Sequence, residues 1–189
     1  MKQIQVYKSY MKNIPLDTPL FPVTVAAQAA VTAPGTLRMW LQRGSVHLLE
    51  SDVAFEQSLV PSKGGLPRLL TLRAVLTLAA AAALVRKGTD VKDAYDAAKN
   101  WTWCGDSYDA NEPSPRGPAG LYSSPNFTVL VHYKGGDAKV VRVGEGNLLD
   151  LSALFVFGYP VRTALTLVLL NDVDGYARGV CQGFLRDDL

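Results

Sequence analysis

Four side chains within a short stretch, Thr36, Arg38, Gln42 and Arg43, could meet a nucleic acid, with Lys63 and Arg68 further along. A guanidinium can hold the two acceptors on a guanine edge or clamp a phosphate, and a carboxamide or hydroxyl can read neighbouring bases. Lysine offers a point charge for the backbone. None of these groups is an activated nucleophile, and the rest of the chain supplies none. His132 has no neighbouring serine or cysteine and no paired carboxylate with catalytic spacing. Cys104 and Cys181 lack metal-ligand spacing, and His47 and His132 are far from both along the chain, so the cysteines read as reduced thiols. Gly144, Glu145 and Gly146 have no lysine after them, so they make no P-loop. Tyr122, His132, Tyr133 and Arg142 could line a ligand pocket but read first as ordinary strand residues, and Asp106, Asp109 and Glu112 read as solvating loop acids. The expectation is a protein that is not an enzyme, with no metal and no cofactor.

A helix that presents such groups must be held from behind. Residues 25–44, VAAQAAVTAPGTLRMWLQRG, read as two short helices joined by a tight turn. Ala26, Ala27 and Ala30 let the first helix approach the second closely, and Thr24 suits its N-cap. Pro34 and Gly35 suit a turn and a first helical turn, where proline's missing N–H costs nothing. Leu37, Trp40 and Leu41 fall at i, i+3 and i+4, one buried face, which makes Trp40 a packing residue. Arg38, Gln42 and Arg43 fall mainly on the other faces, and Gly44 supplies the stop.

Residues 46–49 then read as a short strand, 50–62 as a mixed loop, 62–65 as a turn and 66–70 as a return strand. Pro67 is tolerable there only at an edge. Such a hairpin would carry Lys63 and Arg68 to phosphates, with Glu50, Asp52 and Glu56 pointing away. Upstream, Ile4 and Val6 alternate with polar residues as in a short strand, and Pro15 and Pro19 break any long element. Downstream, Thr71 is placed to cap the helix LRAVLTLAAAAALVRK, which ends at Gly88. Thr89 is placed to cap another, packed through Val91, Ala94, Tyr95, Ala98 and Trp101.

The spacing of Ala26, Ala27, Ala30, Thr36, Leu37, Arg38, Trp40, Arg43 and Gly44 resembles the DNA-binding half of MerR-type regulators. The likeness covers roughly residues 22–101, about half the chain. The same motif also occurs in phage excisionases and small terminase subunits. Val31 stands where the family usually has glycine, and Ala33 where it usually has a serine N-cap; Thr32 is placed to cap one residue early. The resemblance implies a winged helix-turn-helix, with the second helix in the major groove and the wing on the backbone. It implies double-stranded DNA as partner, with RNA polymerase a further one. In the family an arginine just before the next helix contacts phosphate, and Arg68 matches it approximately. The long dimerising helix of the family is missing, because residues 102–120 hold too many proline, glycine and serine residues for any helix.

Charge divides the chain. Residues 1–100 carry twelve Lys/Arg and seven Asp/Glu, a balance of +5, while residues 101–189 carry seven and ten, a balance of −3. A basic front and an acidic back fit a nucleic-acid module joined to something that does not touch nucleic acid. In the back half, residues 127–133 and 138–143 read as a hairpin, 147–157 as a helix, 163–170 as a buried strand, and a last helix is capped by Asn171 or Asp172. Its packed face is expected to hold Val173, Tyr176, Val180 and Phe184. The longest apolar run, residues 74–85, is shorter than the ~20 residues needed to cross a bilayer. The N-terminus has no apolar secretory core.

The fold expected is α+β: a MerR-like winged helix-turn-helix over 1–101, a linker or long loop over 102–120, and a small α+β dimerisation or effector domain over 121–189. The function expected is sequence-specific binding of double-stranded DNA by a cytoplasmic, nucleoid-associated transcriptional regulator. It would be a homodimer through its C-terminal domain, without membrane contact. Two alternatives are an architectural DNA-binding protein of the excisionase or small-terminase sort, and a protein-interaction scaffold that leaves DNA out.

Overall fold

A computed structural model describes residues 14–48, 53–54, 69–106, 115–134, 137–144 and 164–187. These form five helices and six strands, a mixed α+β fold with two antiparallel three-stranded sheets. The expected strand over 4–6 and helix over 147–157 lie outside the described residues, as do Lys63 and Arg68.

The first sheet is built around strand β3 (Leu69–Thr71), flanked by β1 (Pro19–Pro22) and β2 (Val53–Ala54). Phe21 pairs with Leu70 and Pro22 with Leu69, after an irregularity following Pro19. Strand β1 runs through Pro19, expected above only to break longer elements, and through Phe21 and Pro22. Proline is tolerated in β1 because, among the described residues, the strand pairs on one side only, with β3. Residues 46–48 form no strand. Val46 is instead buried in the core, and the carbonyl of His47 accepts from Tyr95 Oη at 3.2 Å. The hairpin expected from 46–49 is made by Val53 and Ala54, which oppose Leu70 and Leu69.

Helix α1 (Val23–Ala29) follows β1 directly, with Pro22 rather than Thr24 at its N-cap. Helix α2 is Pro34–Gln42. Helix α3 (Leu72–Val85) starts where expected, with the Thr71 hydroxyl accepting from Ala74 N at 3.1 Å. Apart from Arg73 it is almost wholly apolar, and it is buried on nearly every side, so it is the axis of the core. Helix α4 is Val91–Thr102, and its cap is Asp90, not Thr89: the Asp90 carboxylate accepts from Lys92 N at 2.8 Å. The Thr77 and Thr102 hydroxyls meet at 2.7 Å and tie α3 to α4.

The second sheet has the order β5-β4-β6, with β4 (Phe127–Tyr133), β5 (Ala138–Val143) and β6 (Leu165–Leu169). Leu130 of β4 and Val168 of β6 enter the main core; Val129, Val131 and Tyr133 gather on the opposite face. Helix α5 (Leu170–Asp187) returns over α1 and α3. Its buried side chains are Leu170, Asp174, Ala177 and Cys181, while Tyr176 is half exposed, against expectation. Neither Asn171 nor Asp172 caps it, since the helix already begins at Leu170. The Asn171 carboxamide oxygen instead accepts from Thr128 N at 2.7 Å, fastening α5 to β4. Phe184 meets Phe21 edge-on, with ring centroids 6.3 Å apart. Apolar residues of both halves thus share one continuous core.

Residues 115–120, expected within a linker, are bonded to the end of α4. Arg116 is buried and donates to the Trp101 carbonyl at 2.9 Å, while the Asp106 carboxylate accepts from Arg116 N at 2.9 Å. Trp101 Nε1 donates to Gly120 O at 2.9 Å. Among the described residues no helix is long and apolar enough to cross a membrane.

Candidate functional site

The turn between α1 and α2 sets the direction of α2. Val31 N donates to Gln28 O and Thr32 N to Ala27 O, both at 3.0 Å, a two-bond helix end that needs a left-handed residue between its partners. Val31 fills that position with φ of +51°. It is a β-branched residue where glycine would be unstrained. Arg86, just past α3, donates from Nη1 to Ala30 O at 2.8 Å and so fixes the turn to the core helix. In the sequence Arg86 carries a single signal, a cation at a helix C-terminus. Ala26, Ala27 and Ala30 are almost completely buried, as a close helix approach requires.

Helix α2 has Ala33 at its N-cap and no side-chain cap, so Thr32 does not take that role. Pro34 occupies the first turn as expected. Leu37 and Trp40 are buried beneath the helix. Arg38 and Gln42, one turn apart, are exposed on the opposite side beside Arg43, and Thr36 is half-buried at the boundary. The structure thus brings Arg38, Gln42 and Arg43 onto one exposed side, with Thr36 at its edge. Among the described residues neither Arg38 nor Arg43 has an ion-pair partner, so both guanidinium groups are available for an incoming acceptor. Met39, an apolar side chain not among the expected contacts, lies 38% exposed among them. Its type suggested core; only its place in the i, i+3, i+4 pattern showed it facing out. Gly44, with φ of +67°, turns the chain away after α2, and Val46 then anchors it.

The groups whose ionisation the fold perturbs lie on other elements. The Arg73 guanidinium, hydrogen-bonded to Asp17 at 2.6 and 2.9 Å, lowers that carboxyl. Burial raises Asp174 against the pull of its 2.7 Å partner Arg178. Burial also lowers His132 and pushes the Cys181 thiol up to about 12, and burial with the neighbouring Asp106 carboxylate as hydrogen-bond partner raises the Tyr122 hydroxyl. No family model matches the chain, and no curated protein matches it in sequence.

Proposed function

We propose that the chain binds duplex DNA as a sequence-specific transcriptional regulator, through a MerR-like winged helix-turn-helix. Helix α2 enters the major groove, and the β2–β3 hairpin, with Lys63 and Arg68, lies along the backbone. The observation that carries this reading is the division of α2. One side gives Leu37 and Trp40 to the core, and the other offers Arg38, Met39, Gln42 and Arg43 to solvent. The order strand, helix, turn, helix, hairpin strands agrees with it. Arg38 and Gln42 read base edges, Arg43 and Thr36 position the helix, and Met39 suits the methyl group of a thymine. A single module of this size binds weakly, and pairing two copies through the C-terminal half would add affinity by effective concentration. The exposed Leu167, Leu169 and Tyr176 support that pairing.

The test is fluorescence anisotropy with mixed genomic duplex fragments across a salt series, for the wild type and Arg38→Ala. Binding should fall steeply with salt. Loss of Arg38 should cost about 1–3 kcal/mol at the preferred site. No binding at low salt by the folded protein would leave the interaction scaffold as the better account.

A further inference from the structure

Helix α5 has a second face that its own fold does not use. Leu170, Asp174, Ala177 and Cys181 turn to the core and are buried. At 3.6 residues per turn, Asp172, Gly175, Tyr176, Gly179, Gly183 and Arg186 fall on the opposite side, within about 100° of arc. All of them but Gly183, which is half-buried, are exposed, Tyr176 among the exposed large apolar side chains. Glycine weakens a helix interior relative to alanine. Three glycines at i, i+4 and i+8 on one solvent face therefore need a reason. The chain's own packing gives none, since a Cβ at any of them would meet nothing within 4 Å.

The charges on this face indicate its occupant. Asp172 stands in the first turn and Arg186 in the last, and among the described residues neither has an ion-pair partner. Gly175 and Gly183 lie four residues either side of Gly179, and Asp172 and Arg186 lie seven either side. The face is thus complementary to itself about Gly179. Turned end for end, a second α5 sets arginine opposite aspartate at both ends and glycine opposite glycine between them. We infer that a second copy of this chain covers the face, with two α5 helices crossing antiparallel on a two-fold axis at Gly179. Bare backbone at the glycines lets the helices approach closely, and the Tyr176 ring of each copy lies over Gly183 of the other. The pair of Asp172 with Arg186 forms twice and fixes the direction, because parallel helices would set like charges together. One helix seam buries less than the roughly 1,000 Å² of a permanent interface, so the pair is weak and depends on concentration. The inference narrows the pairing proposed above to one surface, and it does not depend on DNA.

The test is sedimentation equilibrium of the full-length protein over a concentration series reaching the millimolar range. Wild type should show a reversible monomer–dimer equilibrium. In the unpaired chain Gly179→Ala only gains helix propensity; Gly179→Gln gains much the same and puts a long side chain into the seam. Gly179→Gln should weaken pairing at least about tenfold, with helix content intact by circular dichroism in dilute solution. Asp172→Arg and Arg186→Asp should each weaken it about fivefold, an effect that fades with salt. The double exchange should recover most of the loss, although each change sets the wrong charge at a helix end. A wild type that stays monomeric, undiminished pairing in Gly179→Gln, or a double exchange no better than the single ones would overturn the proposal. So would pairing lost in Leu167→Gln but kept in Gly179→Gln, which would place the contact on β6. Because no DNA is present, failure here leaves the nucleic-acid reading to its own test.

Discussion

Val31 and Gly88 do the same job at the ends of two helices, and only one of them suits it. Gly88 closes α3 with φ of +92°, and Thr89 N reaches back to Leu84 O. Val31 closes α1 with φ of +51° and carries a branched Cβ into left-handed backbone. That conformation costs an L-residue about 1–2 kcal/mol, and glycine's extra chain entropy would take back about 0.5–1 kcal/mol. Val31→Gly should therefore stabilise the protein by about 0.5–1 kcal/mol, read as a higher urea midpoint at unchanged slope. A lower midpoint would mean that the turn absorbs the branched side chain without strain. His132 acts in the opposite direction, through pH. Burial holds its imidazole below the ordinary value of 6.5, against the pull of Asp93. As pH falls through that value the unfolded chain takes up the proton first, so stability drops until the folded imidazole also titrates. Wild type should lose stability relative to His132→Gln as pH falls below about 7, through the ordinary imidazole value. Parallel stability profiles would show that the buried imidazole titrates as it does in the unfolded chain. Both residues show what sequence alone can mark. The glycine expected at Val31 flagged the turn, whereas nothing in the β-rich run around His132 showed which side chain would lack a partner.

At the scale of elements, those that announced themselves were long or locally capped. Helices α3 and α4 follow their apolar spacing over many residues, and the Thr71 hydroxyl caps α3 as its type suggests. Strands β4 and β5 are rich in β-branched residues, and Phe127 to His132 pair in unbroken register with Val143 to Ala138. The short strands β1 and β2 gave no such signal. Two prolines obscured the first, and the second has two residues, too few for an alternation. Such strands exist because β3 offers them partners, which is a tertiary fact. Helix α5 shows the same limit in its phase. Its apolar side chains fit more than one stripe, and packing on α1 and α3 chose Ala177 and Cys181 over Tyr176. The helix also carries Gly175, Gly179 and Gly183, and a Cβ added at any of them would meet nothing within 4 Å. The packing within this chain therefore does not require glycine there. Gly179→Ala, in mid-helix, should raise stability by about 1 kcal/mol through backbone entropy alone. A rise in the thermal midpoint checks this, and a fall would mean that another backbone approaches α5 closely.

For the whole molecule, composition and packing give different divisions. Charge is basic before residue 100 and acidic after it, and the proline- and glycine-rich stretch between reads as a linker. Charge lies on the surface, however, and says little about where a core is continuous. Phe21 of β1 meets Phe184 of α5, and Ala177 and Cys181 share a core with Ala26, Leu76 and Trp101. Arg116 looks like a solvated linker residue by type, yet it is buried against the Trp101 carbonyl and beside Asp106. One buried core of this kind predicts one cooperative unfolding step. The three tryptophans, at 40, 101 and 103, all precede the second sheet, so their emission reports on the chain ahead of it rather than on the second sheet itself. Amide resonances of β4 report on the second. Both probes should give the same urea midpoint and slope. A chain cut after residue 106 should lose the cooperative step, because the core faces of α1 and α3 that receive α5 would be open to water. Separate midpoints, with a cooperative shortened chain, would establish two independent units and return α5 to a purely C-terminal role.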